Sequence, residues 1–153
     1  MIASIKGIIL SKEPSQIVLE AAGVGHEIYC TQSTFEQAPP LGMEYRILTR
    51  LVVREDSLTL YGFSSTQERS LFDLLVGVSG IGPKTAVSIV SSLGVNKIRD
   101  AIIQKDITTL TALPGIGKKT AERLIVELRD KFLKEETFVS SEEYQGSTGS
   151  DIR

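Results

Sequence analysis

The segment Gly80-Ile81-Gly82-Pro83-Lys84-Thr85-Ala86 recurs 35 residues later as Gly115-Ile116-Gly117-Lys118-Lys119-Thr120-Ala121. Paired glycines followed by lysine and threonine at the mouth of a helix are suited to holding an anion. Glycine lets a foreign oxygen approach the backbone closely. The first amides of a helix have no intrahelical acceptor and lie at the positive end of its dipole. Lys84, Lys118 and Lys119 add full charges beside that spot, and Ile81 and Ile116, between the glycines, are placed to point inwards as apolar anchors. The expected ligand is a phosphate of a nucleic-acid backbone, because nothing in the arrangement can read a base edge. The flanks repeat as well: Leu75 answers Leu110, Val78 answers Leu113, Ile89 answers Leu124 and Leu93 answers Leu128. Each copy is therefore an apolar helix, a Gly-Ile-Gly turn and a second helix, one helix-hairpin-helix unit used twice. A single Gly-x-Gly also closes a tight turn between packed helices without binding anything. Two copies with lysine at matching places favour the phosphate reading.

Other chemistry is sparse. Gly117-Lys118-Lys119-Thr120 superficially resembles the end of a nucleotide-binding P-loop, but that motif needs glycine at position 112 and a hydroxyl residue directly after Gly-Lys, where Ala112 and Lys119 stand. The preceding segment also has helical patterning, so ATP-driven work is assigned to another protein. No cofactor or metal is expected: Cys30 is the single cysteine and His26 the single histidine, too few for a zinc site or an internal disulfide. Cys30 is read as a small buried apolar residue and His26 as a structural or surface position. Arg46, Arg50 and Arg54 share one strand face by period two, a basic stripe that could meet DNA, solvent or another subunit, and they stay outside the core site. On its own, the acidic pair Glu55-Asp56 reads as a solvated hairpin turn. A helix-hairpin-helix glycosylase or nuclease would need a positioned carboxylate, lysine or metal cluster beside the hairpins, and none pairs up. A purely structural module would keep the fold and lack DNA affinity.

Two kinds of scaffold must carry these residues. Of 153 residues, 41% are hydrophobic, a globular composition. The formal net charge of −2 is unevenly spread: residues 1–63 hold 5 Lys/Arg against 7 Asp/Glu, residues 64–133 hold 10 against 7, and residues 134–153 hold 2 against 5. Only the middle is net positive, which is where the repeat lies. Residues 1–63 read as five short strands, Ile2 to Leu10, Ile17 to Ala21, Val24 to Cys30, Tyr45 to Arg54 and Leu58 to Phe63, with Ala22-Gly23 as a hairpin connection and a brief helix capped by Ser33 or Thr34. That pattern fits a compact antiparallel barrel of the oligonucleotide-binding kind, and a sandwich equally. From Ser64 the period becomes helical, behind a capping box at Ser65-x-x-Glu68. Pro83 opens a second helix that stops at Gly94, Asp106 caps a short helix ending before Pro114, and a longer helix runs from about Lys118 to Phe132. Residues 134–153 are rich in Glu, Ser, Gly and Thr and read as a flexible linker. With no apolar run of membrane-spanning length and no signal-peptide layout, a cytoplasmic protein is expected.

Over about residues 1–133 the chain resembles the RuvA family of Holliday-junction-binding proteins. The resemblance rests on Lys6-Gly7-Ile8-Ile9, Gly23-Val24-Gly25, Val52-Val53-Arg54-Glu55-Asp56, Leu60-Tyr61-Gly62-Phe63, Gln67-Glu68-Arg69 and, most specifically, Leu113-Pro114-Gly115-Ile116-Gly117-Lys118-Lys119-Thr120-Ala121-Glu122-Arg123-Leu124. It implies an α+β chain: a five-stranded oligonucleotide-binding (OB) barrel over 1–63 that carries the main subunit contacts, then an all-α double helix-hairpin-helix domain over 64–133. Four copies would form a flat tetramer, alone or doubled face to face into an octamer, whose symmetry matches four-way junction DNA. Gly80, Ile81, Gly82, Lys84 and Thr85 would form one DNA-backbone site, and Gly115, Ile116, Gly117, Lys118, Lys119 and Thr120 the other. Glu55 and Asp56 would form an acidic pin at the crossover that repels phosphates. The resemblance further implies a non-catalytic subunit in recombination and repair, with the RuvB ATPase motor and the RuvC resolvase as partners. The family's third, motor-contacting domain has no expected counterpart, because residues 134–153 hold only Phe138, Val139, Tyr144 and Ile152 as large apolar groups. Junction binding with weakened motor coupling is the expectation.

Overall fold

Alternating burial organises the first half of the chain, seen in a computed structural model that describes residues 1–135. In β1 (Ser4–Glu13) Ile5, Gly7 and Ile9 face inwards, and the same alternation buries Ile17 and Leu19 in β2 (Gln16–Ala21) and Ile28 and Cys30 in β3 (Val24–Cys30). Ile47 and Thr49 of β4 (Glu44–Arg54) complete that face, and β5 (Ser57–Phe63) ends in buried Tyr61, Gly62 and Phe63. The strands close into a barrel in the order β1-β2-β3-β5-β4. Closure removes every free edge and excludes the sandwich.

Two details differ from the sequence reading. The barrel is not wholly antiparallel: β3 and β5 pair in parallel, from Ile28↔Leu60 to Cys30↔Gly62. Round the barrel from β3 through β2, β1 and β4 to β5 each pairing is antiparallel, so β3 and β5 run the same way. β1 also continues past Leu10, pairing Lys12 with Ile17 and Glu13 with Gln16 after a register shift between Ile9 and Ser11. That bulge breaks the period of two, which is why the strand's end was hidden. Two glycines mark the tightest packing. A Cβ on Gly62 would lie 2.6 Å from Ile28 Cγ2 and 2.7 Å from Ile47 Cγ2, and one on Gly7 would overlap the carbonyl of Glu20.

The β2–β3 turn places Ala22 at φ 52° and Gly23 at φ 80°, the double left-handed geometry of a two-residue hairpin. Alanine is strained there, so Ala22→Asn is expected to stabilise the chain by roughly 0.5–1 kcal/mol. A urea melt checks this; an unchanged or lower midpoint would mean that no strain resides at Ala22.

The brief helix α1 (Gln32–Gln37) is capped by Thr31, not by Ser33 or Thr34 as the sequence suggested: the Thr31 hydroxyl accepts from the Thr34 amide. Ser33 is engaged elsewhere, donating to the Glu68 carboxylate. Five helices follow, α2 (Thr66–Val76), α3 (Pro83–Leu93), α4 (Val95–Ile103), α5 (Ile107–Thr111) and α6 (Lys118–Lys134). Ser65 caps α2 by accepting from Glu68 N at 3.1 Å. The reciprocal half of the box is displaced by one residue, since the Glu68 carboxylate accepts from the Ser64 amide at 2.9 Å. Helix α4 went unread because Gly94, at φ 87°, ends α3 and caps α4 at once; a glycine stop was visible, an immediate restart was not.

Asp106 caps α5 by accepting from Thr109 N at 3.2 Å and Thr109 Oγ1 at 2.6 Å. These bonds hold its carboxyl below the usual carboxylate range, the side-chain bond first. A depressed carboxyl contributes stability above its unfolded value and loses it as pH falls through the folded one. Protection of the Thr109 amide, taken relative to its intrinsic exchange rate at each pH, should therefore fall at acid pH, in a way that Asp106→Asn removes; unchanged protection throughout would discount the cap.

Barrel and helices share a polar and aromatic seam. Phe63 and Tyr61 pack on Phe72 with ring centroids 4.9 Å and 5.5 Å apart. Arg50 Nη2 and Nε of β4 grip Asp73 of α2 at 2.7 Å and 2.9 Å. Glu68, 8% exposed, also accepts from Thr31 Oγ1 at 2.9 Å and Ser64 Oγ at 3.0 Å. Among the described residues, no helix is long and apolar enough to cross a membrane. The expected linker lies, from residue 136 on, outside the described residues.

Candidate nucleic-acid interface

The two halves of the repeat fold alike, bond for bond. Ile81 N donates to Val78 O at 3.1 Å and Ile116 N to Leu113 O at 3.2 Å; Ala86 N donates to Gly82 O and Ala121 N to Gly117 O, each at 2.9 Å. Gly80 (φ 95°) and Gly115 (φ 73°) occupy the left-handed region that turns the chain between helices. Ile81 and Ile116, each 5% exposed, are anchors in the helical core and do not face a ligand.

Gly82 and Gly117 are different. Their φ values, −89° and −91°, suit any residue, and a Cβ on either would meet nothing within 4 Å. The fold does not require glycine there. Both sit at the N-caps of α3 and α6 without a side-chain cap bond, so the amides of each first turn face open space. Lys84, Lys118 and Lys119 are exposed beside them.

The hairpins also face each other by exchange. A Cβ on Gly80 would lie 3.6 Å from Thr120 Oγ1, and one on Gly115 would lie 3.3 Å from Thr85 Cγ2. Thr85 and Thr120 thus each pack on the opposite hairpin's glycine. Lys84, Thr85 and Ser88 line a cleft of about 170 Å³ with Pro114 and Gly115. Arg123 Nη1 reaches the Ser79 carbonyl at 3.5 Å, putting a third basic residue of α6 beside the first hairpin. The sequence reading missed it, because the repeat places Ser88 at the equivalent position.

The arginine stripe divides. Arg46 donates to Ser4 Oγ at 2.9 Å and Arg50 is held by Asp73, whose hydrogen bonds push the Arg50 pKa up. Arg54 is exposed, and its side chain forms no hydrogen bond or ion pair among the described residues. Glu55 and Asp56 form the turn between β4 and β5, closed by the Arg54↔Ser57 pair; both are exposed and likewise unpaired among the described residues. Cys30 is 2% exposed in the barrel core, and burial, followed by the charge of Glu68, pushes its thiol up to about 12. It is no nucleophile at neutral pH. His26 is half-buried in β3. Among the described residues no three His, Cys, Asp or Glu side chains cluster as a metal site.

A closed five-stranded barrel joined to two exchanged helix-hairpin-helix units places the chain among the tandem helix-hairpin-helix proteins with an N-terminal barrel. Residues 1–62 match the RuvA N terminal domain and residues 72–130 the SAM-like helix-hairpin-helix tandem. Over both segments the chain is similar to RuvA proteins. It is 49% identical over 132 residues to the Holliday junction branch migration complex subunit RuvA of Yersinia pseudotuberculosis, covering 86% of this chain and 65% of the relative. Proteins of the same name from Idiomarina loihiensis and Serratia proteamaculans are each 47% identical, over 131 and 132 residues, again 86% of this chain and 64–65% of theirs. The match thus spans just under two thirds of these relatives.

Proposed function

We propose that this chain is a non-catalytic subunit that binds four-way junction DNA through backbone phosphates and holds it for branch migration driven by a separate ATPase. The observation that carries this is the pair of unneeded glycines, Gly82 and Gly117: the backbone tolerates any side chain there, whereas a phosphate approaching the first-turn amides tolerates none. In this reading Gly80, Ile81, Gly82, Lys84 and Thr85 form one strand-holding site and Gly115, Ile116, Gly117, Lys118, Lys119 and Thr120 the other. The isoleucines shape the turns and the amides and lysines meet the DNA. The exchange relation between hairpins suits two antiparallel strands, which are themselves related by dyads.

Residues 1–63 act as the oligomerising barrel and 64–133 as the DNA-binding unit. Four copies around one junction multiply a weak local interaction, which reconciles binding with a net charge of −2. Glu55 and Asp56 project as an acidic pin that repels phosphate at the crossover and disfavours continuous duplex. The relatives' name, a branch migration complex subunit, supports partners: RuvB as the motor and RuvC as the resolvase, in the cytoplasm.

The test is a competition gel shift between an immobile four-way junction and linear duplex of the same sequence. Wild type should prefer the junction strongly. Lys118→Ala with Lys119→Ala should weaken binding and lower its salt slope by roughly 0.9 for each phosphate that is no longer neutralised. Equal binding to both DNAs would withdraw the junction role and the pin.

A further inference from the structure

The two hairpins are not equally equipped. Where the second presents Lys118-Lys119 after its cap glycine, the first presents Pro83-Lys84. Proline has no amide hydrogen, so the first hairpin offers one lysine and one donor fewer for the same task. Its surroundings differ in a matching way. A groove of about 410 Å³ runs between the β4–β5 arm and the mouth of α3, lined by Arg54, Ser57 and Thr59 on one wall and Gly82, Pro83 and Lys84 on the other. Arg54 is the one arginine of its stripe whose side chain is left without a hydrogen bond or ion pair among the described residues.

Resting on the reading of the hairpins as phosphate sites, we propose that Arg54 is the cation the first hairpin lacks: it reaches across this groove to the backbone phosphate held by Gly82 and Lys84. The site is thus composite, with amides and lysine from the helical unit and guanidinium from the barrel. Ser57 and Thr59 hydroxyls line the same wall and suit the sugar and phosphate oxygens of one nucleotide. Arg54 also lies directly before Glu55 and Asp56. The arm therefore carries an attractive charge in the pair that closes its turn and repulsive charges in the turn itself, so a strand is drawn to the side of the arm and turned away from its tip. Guanidinium is the better group for this position, because its fork can take two oxygens of one phosphate.

The Arg54 side chain makes no hydrogen bond or ion pair among the described residues, so Arg54→Ala should leave the melting temperature unchanged. With the full chain and immobile junction DNA, it should lower affinity by roughly tenfold at fixed salt and reduce the salt slope by roughly 0.9 for each subunit engaged. Adding Pro83→Lys to Arg54→Ala, which rebuilds the lysine pair of the second hairpin, should restore most of that slope. An unchanged slope in Arg54→Ala, with Lys84→Ala still flattening it, would overturn the proposal while leaving the hairpin reading intact. A loss in Arg54→Ala that Pro83→Lys fails to restore would overturn the idea of a substituted cation. If wild type itself shows no salt-dependent junction binding, the underlying reading fails first.

Discussion

Aspartate placed at both Gly82 and Gly117 should raise the stability of the protein and abolish its DNA binding. The two effects have opposite sign because one position serves two masters. For the helix, aspartate is a better N-cap than glycine by a few tenths of a kcal/mol, and its charge at the positive end of the dipole adds about 0.3–1 kcal/mol. Neither φ nor space opposes it, since both backbones are extended and nothing lies within 4 Å of a Cβ. For the phosphate, the same carboxylate takes the amides and puts like charge where the anion must sit. A penalty of about 1.4 kcal/mol or more at each hairpin gives a fall of about 100-fold or more per pair. Thermal melts and junction titrations on the double variant read the two effects separately. Retained affinity would show that phosphate does not sit on these amides, and a drop in melting temperature would show that glycine is needed for the fold after all.

Gly7→Ala should damage the barrel more than any other single methyl addition outside its centre. The added Cβ would overlap the Glu20 carbonyl, and the obstacle is backbone, so no rotamer change relieves it. The β1–β2 seam, which continues through Ile8↔Glu20, must part or shift. The cost should lie at or beyond the top of the roughly 1–3 kcal/mol range for overpacking, a fall of roughly 10 °C in melting temperature. Gly25→Ala is the matched control on the same barrel, with its nearest neighbours, Val18 Cγ1 and Leu10 Cδ1, at 3.6 Å and 3.8 Å. Equal melting temperatures for the two variants would refute the assignment. Because barrel and helical unit keep separate apolar cores, joined through Tyr61 and Phe63, Gly7→Ala also tests whether the barrel holds the subunits together: a monomer that still binds DNA weakly is the expected remnant.

Much of this molecule was legible in its residues, for reasons that can be named. The strands show because one face is buried and the side-chain period is two, and the hairpins show because a seven-residue run occurs twice with a single difference, Pro83 against Lys118. What stayed hidden depends on partners distant in sequence. Periodicity put Arg46, Arg50 and Arg54 on one face, but only the fold brings Asp73 to Arg50 and leaves Arg54 open. Glu68 reads as a local capping residue; its bonds to Thr31 and Ser33 appear only when α1 is laid across the start of α2. Arg123 was masked by a difference between the repeats, as serine stands at its counterpart.

The backbone amides at the mouths of α3 and α6 have a mechanical consequence under the proposed function. They meet a part of DNA that is the same at every nucleotide, so the energy of the bound strand repeats with each step along it. A motor pulling DNA past these hairpins would meet a regular series of small barriers, with no sequence at which the strand stalls. The two glycine mouths would then behave as a bearing, whose friction is set by salt and not by the message being moved.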